Sequence, residues 1–184
     1  DLKELVDELR KKSDDNLKET ERLVREIEKR LTDNKRESER LVREIEKELR
    51  DLRERIERTV RDERKLRDLE RKLKKVDEEL KEMHERSKRE NEEIRRELKK
   101  LVEDDERRNR EIKKRVEDLL RKVKDKDEVR KAIKEAEELL KRSHEESRRV
   151  IERVRKLIEE SHRKNREAIK RIRRLIEEIR KEVD

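Results

Sequence analysis

The sequence ERLVREIEK occupies residues 21–29 and returns unchanged at residues 39–47, eighteen residues later. Because an α-helix has about 3.6 residues per turn, eighteen residues make five whole turns, and each repeated side chain returns to the same face. An asparagine and then a small hydroxyl residue precede each copy, namely Asn16 and Thr20, then Asn34 and Ser38. This stretch predicts a long helix whose single apolar face is interrupted by polar side chains at a fixed interval.

The composition agrees with long helices and excludes some kinds of site. Asp, Glu, Lys and Arg make up 64% of the residues and apolar types only 27%, a balance that taken alone favours disorder. Two apolar residues in seven are, however, what a helix with one narrow buried stripe requires. The chain has no Gly, Pro, Phe, Tyr or Trp, and the absence of Cys excludes disulfides and thiolate metal sites.

Nothing in the sequence indicates where in a cell the chain resides. No apolar run approaches the roughly 20 residues of a membrane span, and no signal peptide pattern is visible. The sequence begins at Asp1 and not at Met, which we interpret as N-terminal processing or tag removal. The localisation stays undetermined.

Three apolar stripes follow one another along the chain. They run from Leu2 to Val60, from Leu66 to Val123 and from Val129 to Ile179, and they include Leu5 and Leu120. At 100° per residue each stripe covers an arc about 100° wide. We therefore predict one domain over residues 1–184 with helices at about 2–60, 63–123 and 128–183.

The gaps between the stripes contain residues that favour helix starts. Asp62 lies in the first gap, and Asp125 and Asp127 lie in the second. Aspartate is a preferred N-cap because its carboxylate accepts a hydrogen bond from an otherwise unpaired backbone N–H of the first turn. We predict turns at both gaps.

The polar residues that interrupt the stripes predict whether neighbouring helices are parallel or antiparallel. A constant sum of 125 is shared by the residue numbers of four pairs: Asn16 and Asn109, Thr20 and Asp105, Asn34 and Asn91, and Ser38 and Ser87. A constant sum of 252 is shared by Asn109 and Ser143, Asp105 and Ser147, Asn91 and Ser161, and Ser87 and Asn165. Each constant sum describes an antiparallel pair of helices that turns inside one of the two gaps. The predicted fold is all-α, an up-down-up antiparallel three-helix bundle of nearly straight helices, each roughly 90 Å long.

These pairs predict two polar layers, about 27 Å apart along the helices. The first polar layer consists of Ser13, Asn16, Thr20, Asp105, Asn109, Ser143 and Ser147. The second polar layer consists of Asn34, Ser38, His84, Ser87, Asn91, Ser161 and Asn165. Because buried polar groups cost free energy unless they are hydrogen-bonded, we interpret the layers as devices that penalise every helix register but one. Catalysis is the alternative, but Ser143 and His144 are adjacent on a helix and so point about 100° apart.

The ionisable residues near the layers have structural interpretations as well. Asp105 is expected to be buried, with Thr20, Ser147 and Asn109 as its possible partners. His84 is predicted to face the core, whereas His144 and His162 are predicted to be half-exposed. A metal site would require three or four converging ligands, and only His84 and His162 have positions that allow an approach, so we predict no metal.

A nucleic-acid interface is a third hypothesis, and it depends on charge alone. The net charge is +8, and residues 163–174 hold seven basic residues against Glu167. Acidic residues three and four positions away from the basic ones indicate a solvated surface with ion pairs. Aromatic stacking residues are missing, so we expect only weak attraction to phosphate at low salt.

The chain resembles computationally designed helical bundles with buried hydrogen-bond networks. The resemblance covers all 184 residues and depends on the ERLVREIEK copies, the Glu/Lys/Arg surface, the absence of aromatics and the Asn/Ser/Thr layers. A spectrin-like rod fits less well, since such rods carry aromatic residues in their cores.

The resemblance implies a structural scaffold without a natural activity, which is neither an enzyme nor dependent on a cofactor or partner. A monomer is expected because each stripe is wide enough to face two neighbouring helices and leaves no apolar surface for a further one. The alternative is an interaction module, either an intermolecular coiled coil or a component of a designed assembly.

Overall fold

The computed structural model of the chain describes residues 2–122 and 124–183, and these residues form three long helices. Helix α1 spans Leu2–Thr59, α2 spans Glu63–Lys122 and α3 spans Lys126–Val183. The helices pack as an all-α three-helix bundle, which confirms the predicted fold class. The predicted bounds agree within two residues, although Val123, the predicted end of α2, lies outside the described residues.

Aspartate side chains start the second and third helices. The Asp62 Oδ1 atom accepts a hydrogen bond of 3.0 Å from the backbone N–H of Arg64. Asp125 makes the same 3.0 Å bond to the backbone N–H of Asp127, so Asp125 and not Asp127 is the N-cap of α3. These bonds satisfy N–H groups that have no partner within the helix. No non-glycine residue in 2–122 or 124–183 has a positive φ, so the described part of the turns forms without glycine.

Removing the cap of α3 provides a test of this assignment. We expect Asp125→Ala to lower the free energy of unfolding by about 1 kcal/mol, because a first-turn N–H loses its acceptor. Asp125→Asn keeps a side-chain oxygen at the same place and should stay close to the wild type. Urea melts of both variants measure the difference, and equal losses would contradict the capping role.

The chain divides into two compact units, and each unit takes a segment from every helix. The first unit comprises Asp1–Lys29 and Ile94–Lys156, and the second comprises Arg30–Glu93 and Leu157–Asp184. The prediction of a single domain over residues 1–184 stays a prediction.

Each unit has its own buried apolar cluster. In the first unit the cluster consists of Val6, Leu9, Ile112, Val116, Val129, Ile133, Ala136 and Leu140. In the second unit it includes Ile45, Leu49, Leu69, Val76, Met83, Ile172 and Ile176, all nearly inaccessible to solvent. All of these side chains belong to the three predicted apolar stripes, so the helical periodicity correctly identified the core.

Three residues that were predicted to face the core are exposed. Leu5 and Leu120 have exposed fractions of 36% and 43%, and His84 is exposed as well. His84 and Leu120 share one row of α2 with Leu66 and Val102, and this row lies about 60° around the helix from Asp105. Leu66 and Val102 are only half-buried, so the row borders the core instead of belonging to it.

Leu5 has a different reason for its exposure. The two constant sums, 125 and 252, differ by 127, so the predicted register of α1 and α3 places Ala132 opposite Leu5. A single methyl group covers little of a leucine side chain. Leu23 occupies the equivalent position one repeat later, where the residue opposite is Val150, and Leu23 is buried.

Candidate functional site

The first polar layer lies inside the first unit and is almost entirely buried. Ser13, Thr20, Asp105, Asn109, Ser143 and Ser147 are buried, and Asn16 is half-buried. All seven predicted members therefore lie at positions that face the bundle, between the apolar side chains of the same unit. The layer contains a carboxylate, and that residue organises most of its hydrogen bonds.

Asp105 is the buried ionisable residue of this layer, with an exposed fraction of 5%. Its Oδ1 atom accepts hydrogen bonds from the hydroxyls of Ser147 at 3.3 Å and Ser143 at 3.4 Å. Ser147 is a predicted partner and Ser143 is an additional one. Among the described residues Asp105 makes no hydrogen bond to Thr20 or Asn109, so these two predicted partners were wrong.

The charge of Asp105 is balanced by Arg108, which the sequence reasoning missed. The Arg108 Nη2 atom lies 3.6 Å from Asp105 Oδ1 and donates a 3.0 Å hydrogen bond to the Ser147 hydroxyl. Its Nη1 atom pairs with Glu146 Oε2 at 3.1 Å. Arg108 thus extends from the surface into the layer, because a long guanidinium side chain can bury its stem and place its head beside a carboxylate. Its position three residues after Asp105 was the available signal.

Two buried atoms of this ion pair have no hydrogen-bond partner among the described residues. They are Asp105 Oδ2 and Arg108 Nε. Since a buried carboxylate depends on its partners for its stability, the pair makes the first layer sensitive to substitution.

Helix α1 joins the layer through Ser13 and Asp14. The Ser13 hydroxyl donates to Asn109 Oδ1, and Asn109 Nδ2 donates to Asp14 Oδ1 at 3.5 Å. Asp14 also pairs with Lys113 Nζ at 2.5 Å. The Lys113 ammonium is the main reason that the pKa of Asp14 lies below its ordinary value, and partial burial opposes this effect. The first layer therefore has direct hydrogen bonds from α2 to both α1 and α3.

The pKa of Asp14 can be measured by following its carboxyl carbon by NMR during an acid titration. We expect a value below 3.8, and Lys113→Met should raise it toward that ordinary value. Lys18→Met is the matched control, because Lys18 acts on Asp14 only through a weaker charge effect. Since the folded-state pKa is lowered, the stabilisation by Asp14 is present above pH 4 or so and is lost as the pH falls through the folded-state pKa. An equal response to both substitutions would contradict the assignment.

The second polar layer lies in the second unit and is less buried. Ser87 and Ser161 are buried, whereas Asn34, Ser38, Asn91 and Asn165 are half-buried. His84 is exposed, so its predicted place in this buried layer was wrong. His144 and His162 are half-buried, as predicted.

Asn165 takes part in both of the direct side-chain hydrogen bonds described for the second layer. Its Nδ2 atom donates to the Ser87 hydroxyl at 3.1 Å, and its Oδ1 atom accepts from Arg86 Nη2 at 3.2 Å. The Arg86 Nε atom lies 3.4 Å from Glu90 Oε1 and forms an ion pair with it but no hydrogen bond. Arg86 is thus a second arginine that the sequence reasoning missed, and it plays a part similar to that of Arg108.

Among the described residues, no three or more His, Cys, Asp or Glu side chains lie close enough together to hold a metal ion. Within the same residues, no helix is both long and apolar enough to cross a membrane. Comparisons of the chain with protein-family models, curated proteins and solved structures gave no match.

Proposed function

We propose that the chain is a computationally designed structural scaffold in which the two polar layers specify how the three helices pair. The observation that carries this proposal is the pattern of hydrogen bonds in the first layer. Asp105 bonds to Ser147 at the register predicted from the sequence, and Ser13 on α1 bonds to Asn109 on α2. The resemblance of the sequence to designed bundles supports the same proposal.

The layers act through the cost of unsatisfied polar groups. In the observed pairing the Asp105 carboxylate accepts hydrogen bonds from two hydroxyls and forms an ion pair with a guanidinium. A pairing displaced by one turn toward the C-terminal ends of α1 and α3 would place Val24 and Ile151 opposite this carboxylate and leave it without partners. Such a buried, unpaired charge costs several kcal/mol, so the observed register is favoured over its neighbours.

The scaffold is proposed to be a monomer, and its mass in solution tests this. Light scattering should give a mass near 23.1 kDa, and the melting temperature should not change with protein concentration. A mass two or three times larger, or a melting temperature that rises with concentration, would contradict the monomer. Either result would favour the alternative, an intermolecular coiled coil.

Binding to nucleic acid is expected to be negligible at physiological salt. In the most basic stretch Arg163 pairs with Glu167 at 2.8 Å, Arg171 with Glu79 at 3.0 Å and Lys164 with Glu160 at 3.4 Å. Because these cations already have anionic partners, few counterions would be released from a duplex, and no binding should be seen at about 150 mM salt. Fluorescence anisotropy with a labelled duplex measures this, and micromolar affinity at that salt concentration would contradict the expectation.

A further inference from the structure

Among the described residues, the direct side-chain hydrogen bonds of the second polar layer connect only two of its three helices. Its side-chain hydrogen bonds run between Asn165 on α3 and two residues of α2, Ser87 and Arg86. Asn34, which α1 contributes to this layer, makes no hydrogen bond to another side chain within residues 2–122 and 124–183. The same holds for Asn91 and Ser161 in that part of the chain.

A small cavity lies where these three side chains meet. Asn34, Asn91 and Ser161 contribute to its lining, one from each helix, together with the apolar side chains of Leu31 and Ile158. The cavity leaves about 10 Å³ for the centre of a water-sized molecule. This is at the lower end of the roughly 10–15 Å³ that a single water requires, so anything larger than water is excluded.

We propose that this cavity is a binding site for one water molecule, which bridges Asn34 on α1 to Asn91 on α2, with the Ser161 hydroxyl on α3 as a third partner. The proposal rests on the proposed function of the layers and extends it. A water molecule donates two hydrogen bonds and accepts two, and each asparagine offers both a carbonyl oxygen and an amide N–H. Buried waters usually make about three hydrogen bonds to polar groups, and Asn34, Asn91 and Ser161 supply three such groups, one from each helix.

The bridging water gives α1 a role in the second layer. In the first layer α1 is held directly, through the hydrogen bond from Ser13 to Asn109. In the second layer the equivalent connection runs through the water, which is nearly as favourable as a direct hydrogen bond. The two layers would thus specify the pairing of all three helices by different means, one direct and one water-mediated.

NMR detects such a water through cross-peaks between the water resonance and nearby protein protons. We expect the side-chain amide protons of Asn34 and Asn91 in the wild type to show cross-peaks with the sign typical of a slowly exchanging, bound water. The absence of these cross-peaks in the wild type would overturn the proposal, whatever the variants do.

Three variants determine the origin of the signal. Asn34→Leu removes one partner and fills the cavity, so the cross-peaks at Asn91 should disappear. Asn16→Leu is the matched control, since Asn16 occupies the equivalent position one repeat earlier, in the other unit, and the cross-peaks should remain. Ser161→Ala removes the hydroxyl whose exchanging proton can imitate a water signal, and the cross-peaks should persist through the two asparagines.

Each result has a definite meaning. Loss of the cross-peaks in Ser161→Ala would show that they came from the hydroxyl and would overturn the proposal, as would their survival in Asn34→Leu. If Asn34→Leu does not fold, the wild type and Ser161→Ala still decide the question. The proposed function is tested separately by substitutions in the first layer, so that a dry cavity would leave it standing.

Discussion

Arg108→Met is expected to lower the free energy of unfolding by about 3 kcal/mol, because it leaves the Asp105 carboxylate buried without a counter-charge. Asp105 is 5% exposed, and Arg108 is its cationic partner, at 3.6 Å. Methionine has a similar length and preserves much of the packing of the arginine stem, so the loss reports mainly on the charge. Breaking a buried ion pair from one side is costly since the remaining ion keeps its desolvation penalty.

The neighbouring residue provides a matched control for this prediction. Arg107 also forms ion pairs on α2, with Asp104 and Glu111, but 59% of its side chain is exposed. Exposed pairs contribute little, so Arg107→Met should change the stability by less than about 1 kcal/mol. Denaturant melts of both variants give the comparison, and similar losses would show that the Asp105 pair has no special importance.

The double variant Asp105→Leu/Arg108→Met completes the test. Removing both ions together takes away the desolvation penalty along with the attraction, so most of the lost stability should return. The hydroxyls of Ser143 and Ser147 would lose this acceptor, and the cost of these unsatisfied hydroxyls is the smaller part of the loss that should remain. A double variant less stable than Arg108→Met alone would indicate that Asp105 is needed for its hydrogen bonds and not for its charge.

The long-range arrangement of the bundle was predictable because helical periodicity and polar interruptions repeat many times. The hydrogen bond between Asp105 and Ser147 has the predicted register, and both helix starts fall at predicted aspartates. The register and the helix starts both follow from patterns that many residues share. An unexpected side-chain position at one residue therefore does not change them.

The details of the layers were less predictable, for physical reasons that particular residues illustrate. Charged residues were expected on the surface, yet Arg86 and Arg108 reach into the layers, since a long side chain can cross the border of a stripe. His84 lies near that border, where a small rotation of the helix decides whether a side chain is buried or exposed. Thr20 is buried in the layer as predicted but does not bond to Asp105, because hydroxyl direction depends on rotamers that the register does not determine.

The loss of one member of the first layer should change the stability of the protein differently from the loss of the whole layer. Asn109→Leu removes the acceptor of the Ser13 hydroxyl, and Ser13 is only 2% exposed. An unsatisfied buried group of this kind costs about 1–3 kcal/mol, so the single variant should be clearly destabilised. Asn16→Leu is the control, because Asn16 is half-buried and forms no direct hydrogen bond to another side chain within the described residues.

Replacing the buried members of the first layer together should have the opposite effect on stability. The full-layer variant substitutes Leu, Ile or Val at Ser13, Thr20, Asp105, Asn109, Ser143 and Ser147, and Met at Arg108, which would otherwise lose its partners Asp105 and Ser147. With no polar group left to satisfy, the added apolar burial should make this variant as stable as the wild type or more stable. Its helices would lose the penalty against other registers, so sizing columns should show mixed oligomers where the wild type gives one species. A full-layer variant that is less stable than Asn109→Leu and still gives one species would mean that the layer serves stability and not specificity.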